Sequence, residues 1–199
     1  MSCRTYIAST FVATMAVIGP ALLPAQPIVV WNASASVPIG LYRIKPIDRI
    51  AVGDLVAVRP PAPIGDFMIE RGYVGRSTLL LKYVAGVPGQ QICRIGRAIT
   101  IDARPYGVAL DHDRRGRTLP VWQGCRGIAK GEFFLMNRDI PDSFDGRYFG
   151  PIAARSIVGG VIPIYSIAIG DDRLARHVVQ RHRSIERLDL FAEFLSHHF

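Results

Sequence analysis

A mainly β body, with an apolar segment before it and a helical tail after it, is the fold class that the sequence predicts. Three observations support this. Nineteen glycines and fourteen prolines are spread along the 199 residues, and such punctuation favours short strands and many turns over long helices. Apolar residues between positions 26 and 170 fall in short β-branched runs separated by turn signals. Only after residue 171 does the apolar spacing become helical. A hydrophobic content of 49% suits a folded chain, and its length allows one domain with a sizeable core plus appendages. The expected units are an N-terminal signal or membrane anchor over 1–25, a β-rich body over 26–170 and a C-terminal helical extension over 171–199.

The first element, residues 6–23, reads YIASTFVATMAVIGPALL, uncharged and preceded by Arg4. That layout is a signal or anchor segment, and a buried core helix would need a polar stripe or caps that it lacks. The run is close to the length that spans a bilayer, whereas Gly19 and Pro20 shorten the uninterrupted helix as in a cleavable signal. Anchor and cleaved signal both remain open. With Arg4 on the cytoplasmic side, everything after Ala25 is expected outside the cytoplasm.

Residues 24–28 read as a linker, followed by IVVWNASASVPIGLYRI, two short strands around a small-residue centre that contains Ser36. In IAVGDLVAVRPPAP, a turn at Gly53 and Asp54 feeds a strand that Pro60, Pro61 and Pro63 end. STLLLKYVAGVPG is the next strand. Its period-two alternation puts Leu80, Lys82 and Val84 on one face and Leu81 and Tyr83 on the other. An insertion over about 91–129 is rich in hairpin signals, and GEFFLMNRDIPDSFDGRYFGPI gives a strand, a polar loop and a second strand start. SIVGGVIPIY is the last strand. In the tail, Leu174, Val178, Ile185, Leu188, Phe191 and Leu195 recur near helical spacing. The tail can pack on the body, lie on a membrane or bind a partner.

The formal charge of +8 would suit nucleic acid or an anionic membrane, but the basic residues are dispersed. Arg114, Arg115 and Arg117 form one cluster and Arg181, His182 and Arg183 another, neither interleaved with aromatics. A solvated or lipid-facing basic surface is therefore expected, with membrane lipid as partner and no nucleic acid. Cys93 and Cys125 lie in the exported part, where a bridge closing a loop of about 30 residues would contribute about 3 to 4 kcal/mol. Two unpaired buried thiols are the alternative, since spacing alone does not establish pairing.

Serine hydrolysis of the usual kind needs a histidine base, yet four of the five histidines lie in the tail, leaving His112 in the body. GxSxG and HExxH are absent, the two exported cysteines lack zinc-ribbon spacing, and no metal or cofactor is expected. A lysine can serve as base if burial lowers its pKa, because desolvation penalises the ammonium form. Lys82, flanked by apolar neighbours on its strand face, meets that requirement. Taken alone, a strand lysine normally points to water, NASAS is normally a turn, and Asn32 to Ser34 merely spell a glycosylation sequon.

SASVPIGLY, GDLVAV, KYVAGVPG and DSFDGRYFGP together occur in the order of the sequence blocks of the type I signal peptidase family, S26, and the resemblance spans residues 31–165. It implies folded β-sheets or a barrel of the signal-peptidase kind. It further implies that Ser36 is the nucleophile, Ser34 and the Ser36 amide are oxyanion donors, and Lys82 is the general base. Ser143, Asp145 and Arg147 match the residues that support the lysine. The Ser-x-Pro-x-Gly-x-Tyr form at Ser36, with DHDRRGRTLPVW and the pair Cys93 and Cys125, is similar to the conjugative-transfer TraF branch. Gln90 stands where the general family has aspartate, and Tyr83 where it often has arginine.

The resemblance implies a membrane-bound serine endopeptidase at the bacterial inner membrane, its catalytic domain in the periplasm. Its expected substrate is an exported precursor protein, of pilin type in this branch, with cyclisation of the trimmed chain in some members. Two alternatives accompany it: a housekeeping signal peptidase, and a catalytically idle β-domain that binds pilin or a secretion channel.

Overall fold

The structure, a computed structural model, describes residues 3–21 and 29–167. Helix α1 (Cys3–Ala21) runs one residue past Pro20, which cannot donate the ladder hydrogen bond. Small hydroxyl residues dilute its apolar content, and Ser9 and Thr10 donate back to the Tyr6 carbonyl at 3.0 and 2.8 Å. No helix among the described residues is long and apolar enough to cross a membrane. The linker at 24–28 and the helical tail expected over 171–199 lie outside the described residues.

The body is mainly β. Strands β1 (Val29–Asn32), β2 (Ile39–Lys45), β3 (Leu55–Val58) and β4 (Leu80–Gly86) match the expected short runs. β5 (Gln91–Ile95), β6 (Ala98–Ile101), β7 (Arg104–Val108) and β8 (Gly124–Gly127) come from the insertion, and β9 (Glu132–Leu135), β10 (Ile152–Ala153) and β11 (Ile157–Ile167) complete the set. The large antiparallel sheet has the order β1-β2-β11-β3-β4-β9-β10, and the insertion forms a second sheet, β7-β6-β5-β8. Cys93 and Cys125 face each other across β5 and β8 and are joined as a disulfide.

Two helices sit in stretches where no helix is expected from the sequence. α2 (Ala62–Glu70) follows the proline run that reads as a strand stop, with Pro61 as N-cap and Pro63 in the first turn. There the missing N–H costs nothing and the fixed φ suits a helix start. The short α3 (Gly146–Phe149) precedes β10, its N-cap Asp145 accepting from the Arg147 amide.

Both faces of the large sheet are covered. Val56, Val58, Leu80, Val84, Phe133 and Leu135 pack with Met68 of α2 on one side, while Val37, Tyr42, Ala57, Leu81 and Val161 cluster on the other. Each fully buried aliphatic side chain there contributes roughly 2 kcal/mol of transfer free energy. A third cluster joins the sheets through Ala85, Ile92, Ile99, Ile101, Phe134 and Met136.

The motif glycine of SASVPIGLY acquires a reason here. A Cβ at Gly40 would lie 2.1 Å from the Tyr165 carbonyl oxygen, so only glycine lets β2 approach β11 at that point. Gly146 is similar: a Cβ would meet the Leu135 carbonyl oxygen at 2.7 Å, separating the Asp145 loop from β9.

Candidate active site

Ser36 lies in the turn between β1 and β2, half-buried, with Ser34 exposed two residues before it. The turn is organised by Asn32, whose side-chain amide donates to the carbonyls of Ser34, Val37 and Pro38 at 2.8, 3.0 and 3.1 Å. Those three acceptors fix the amide orientation, so Oδ1 is left to accept from the Ser34 amide and from Ser34 Oγ at 3.3 and 3.0 Å. With its own proton given to Asn32, Ser34 Oγ accepts from Ser36 Oγ at 2.9 Å. Tyr42 closes the turn by donating to the Pro38 carbonyl at 2.6 Å.

Lys82 stands in the middle of β4, paired with Val56 of β3, and is 4% exposed. Its Nζ donates to Ser143 Oγ at 2.6 Å, and among the described residues no carboxylate forms an ion pair with it. Burial pulls its pKa from the ordinary 10.5 down to about 8, with Arg147 adding to the fall and Asp145 and Asp142 opposing it. A lysine in this state supplies neutral amine at mildly alkaline pH, which a solvated lysine does not.

Ser143 is held by the buried pair of Asp145 and Arg147. Arg147 donates through Nε and Nη2 to the two oxygens of Asp145 at 2.9 and 2.8 Å, both residues being at most 1% exposed. Its remaining protons go to the carbonyls of Pro141, Asn137, Ile140 and Ser143, so one guanidinium pins the whole loop from 137 to 143. A planar fork of fixed donors suits this task better than an ammonium. Among the described residues neither Asp145 nor Arg147 forms a hydrogen bond or ion pair with Lys82; they act on it through Ser143 and through their charges.

Asn137 is a site residue that the sequence reading missed. Its Nδ2 donates to the Ser36 carbonyl at 2.7 Å and to the Leu81 carbonyl at 3.3 Å, and its Oδ1 accepts from the Tyr83 amide at 3.1 Å. One side chain therefore grips the serine loop and the residues on either side of Lys82, while its own amide donates to Asp145 Oδ2 at 3.1 Å. Asn32 was visible as part of a sequon but not as the organiser of the serine turn. Of the two departures from the general family, Gln90 serves its turn, its side chain accepting from the Val87 amide and donating to Asp102. Tyr83 packs on the opposite face from Lys82.

Ser34, Ser36, Lys82 and Ser143 line one cavity of about 660 Å³. His112 lines it too, but among the described residues none of the three serines hydrogen-bonds to that ring. The cavity wall also contains Arg71, Tyr73 and the turn carrying Asp113, Arg114, Arg115 and Arg117. The basic cluster that reads as plain surface thus borders the same space as the serine and the lysine. Arg114 pairs with Asp142, next to Ser143, which ties the insertion to the lysine-binding loop. Cys93 and Cys125 lie outside the cavity lining.

The sequence profile of the signal peptidase family, peptidase S26, matches residues 3–167. The chain is similar to TraF of Sinorhizobium fredii, 37% identical over 141 residues that make up 64% of this chain and 72% of that one. It is also similar to the conjugal transfer protein TraF of Agrobacterium fabrum, 33% identical over 148 residues, 68% of this chain and 81% of the other. A signal peptidase I from Enterococcus faecalis superposes with a TM-score of 0.35 at 17% identity, covering 58% of this chain and 99% of that structure. On the profile match and these relatives, the chain belongs to the S26 signal peptidase family, in its TraF branch.

Proposed function

We propose that the protein is a serine endopeptidase that cleaves exported precursor proteins through an acyl-enzyme formed on Ser36 with Lys82 as base. The observation that carries this reading is a buried lysine, pKa about 8, hydrogen-bonded to Ser143 and sharing a cavity with Ser36. For attack, the Ser36 hydroxyl leaves Ser34 and turns toward Lys82. Neutral Lys82 takes the proton as Oγ bonds to the scissile carbonyl carbon, and the carbonyl electrons move to oxygen. That oxyanion is held by the Ser36 amide and by Ser34 Oγ–H, which is released from Asn32 for the purpose. When the intermediate collapses the C–N bond breaks, and the Lys82 ammonium returns its proton to the leaving amine.

The ester is then opened by water, giving a carboxylic acid, or by an amine of the substrate, giving a new amide. The second route would join the trimmed chain to itself. Similarity to TraF proteins favours a conjugal transfer substrate, of pilin type, over the general run of secreted proteins. We place the protein at the inner membrane, its segment at 6–23 acting as signal or anchor and its body in the periplasm, where the Cys93–Cys125 bridge is at home.

The test is co-expression with a candidate pilin precursor, read by intact mass. Processing is expected in the wild type and lost in Ser36→Ala and in Lys82→Ala, both variants still folded. Normal cleavage by purified Lys82→Ala would overturn the mechanism. A product lighter than the trimmed chain by one water would identify the amine route.

A further inference from the structure

The cavity wall made by the end of α2 and the turn over residues 111–119 carries more positive charge than its neighbours use. Four arginines, Arg71, Arg114, Arg115 and Arg117, and two aspartates, Asp113 and Asp142, line it. Asp113 is saturated: it accepts from Tyr73 Oη at 2.6 Å, from Arg117 Nε at 2.7 Å, and from the amides of Arg115 and Arg117 at 2.9 Å. Those bonds hold its carboxyl well below the usual carboxylate range, the tyrosine bond contributing most. Asp142 is taken by Arg114. Arg71 and Arg115 are left, and neither guanidinium makes a hydrogen bond or ion pair among the described residues.

Both are presented on fixed supports. The Arg71 guanidinium lies over the Phe67 ring, 4.9 Å from its centroid, and the Arg71 carbonyl accepts from Arg117 Nη2 at 3.0 Å. Arg115 projects from a turn closed by the Asp113 carboxylate and by Gly116 at φ +72°. The cavity volume of about 660 Å³ exceeds what one small side chain at the scissile position would fill, so it accommodates neighbouring substrate residues as well.

We propose that Arg71 and Arg115 form a subsite for a carboxylate of the substrate chain, so that precursors with an acidic group near the scissile bond are preferred. This rests on the peptidase reading above, and it deepens that reading by naming what the substrate carries. An ionised acceptor on guanidinium donors is the pairing that such a wall is built to take. The carboxylate can belong to an acidic side chain or to the chain's own C-terminus.

The experiment measures binding of labelled, alanine-rich peptides to the full-length Ser36→Ala protein, by fluorescence anisotropy. A glutamate is walked along the peptide against glutamine at the same position, each with a free or an amidated C-terminus. At one or two positions glutamate is expected to bind about tenfold tighter than glutamine, an advantage that shrinks with added salt. An advantage that follows the glutamate assigns the subsite to a side chain, and one confined to free carboxyl ends assigns it to the terminus. Arg71→Gln with Arg115→Gln should abolish the preference, while Arg104→Gln, on β7 outside the cavity, should keep it. Arg115→Gln alone, at an exposed turn, should weaken it without touching the packing of Arg71 on Phe67.

Failure of every carboxylate peptide to bind better than its neutral partner, or a preference that survives the double variant, overturns the subsite. Cleavage of the same peptides by wild type is scored separately. An arginine-dependent preference without cleavage would count against the peptidase reading alone, and cleavage without preference against the subsite alone.

Discussion

Replacing Lys82 by methionine should make the protein more stable at about pH 7 while removing its activity. Burial lowers the lysine from 10.5 to about 8, so near neutrality the folded state holds a mostly charged ammonium against its preference. The difference between those values corresponds to about 3 kcal/mol of folding free energy spent on that charge. Methionine fills a similar volume without a charge, but leaves Ser143 Oγ without its partner, at about 1 kcal/mol. A net gain of about 2 kcal/mol is expected.

The sign reverses with alkalinity. Between about 8 and 10.5 the unfolded lysine binds more protons than the folded one, so wild-type stability rises with pH across that window and the variant's advantage disappears. Urea unfolding of both proteins, with the disulfide intact, at several pH values from about 7 to about 10.5 measures the difference; other titrating groups cancel in the comparison. A Lys82→Met protein less stable than wild type at about pH 7, or a difference that does not move with pH, would refute the reasoning. In wild type, kcat/KM should climb with pH about a midpoint near 8 for the same reason.

Asn137→Ala strips partners from the Ser36 and Leu81 carbonyls and the Tyr83 amide, and should cost about 2 to 3 kcal/mol in unfolding and about a hundredfold in kcat. A kcat within a few-fold of wild type would show that the serine and lysine segments hold their spacing without it. Asp142→Asn removes a charge that raises the Lys82 pKa and frees Arg114, so the midpoint of the pH–rate curve should move to lower pH; a shift to higher pH would count against the assignment. Reducing the bridge, or Cys93→Ser with Cys125→Ser, should lower stability by about 3 to 4 kcal/mol while leaving the pH midpoint in place, measured by denaturant unfolding and by rate.

How much of this could be read from the chain differs between residues. The alternation along β4 placed Lys82 with Leu80 and Val84, and the folded strand keeps that arrangement because both faces of the central sheet are buried. Three of the four sequence blocks reach the cavity, through Ser34 and Ser36, Lys82, and Ser143, while GDLVAV forms β3, which pairs with β4 beside Lys82. α2 was hidden because its prolines announce an end in strand context and a beginning in helix context, and only the packing of Met68 decides between them. Asn137 was hidden for another reason. Its partners lie 101 and 56 positions away, and no local pattern marks a polar residue whose role is set by distant carbonyls. Arg94 is similar: a strand arginine normally reaches water, yet it is 1% exposed, donating to the carbonyls of Gly96, Pro120 and Arg147.

The placement of β11 between β2 and β3 has a consequence for the order of events during synthesis. The strand that follows the Ser36 turn finds one of its two neighbours only when residues 157–167 have emerged, more than a hundred positions later. Until then β2 has β1 alone, a two-stranded ribbon that is marginal in water. Asn137 and Ser143, which the serine and lysine segments need, are also late arrivals. A nascent chain therefore carries the Ser36 hydroxyl long before its surroundings are set, and under the proposed mechanism competence to cut waits on long-range pairing, slow by its topology.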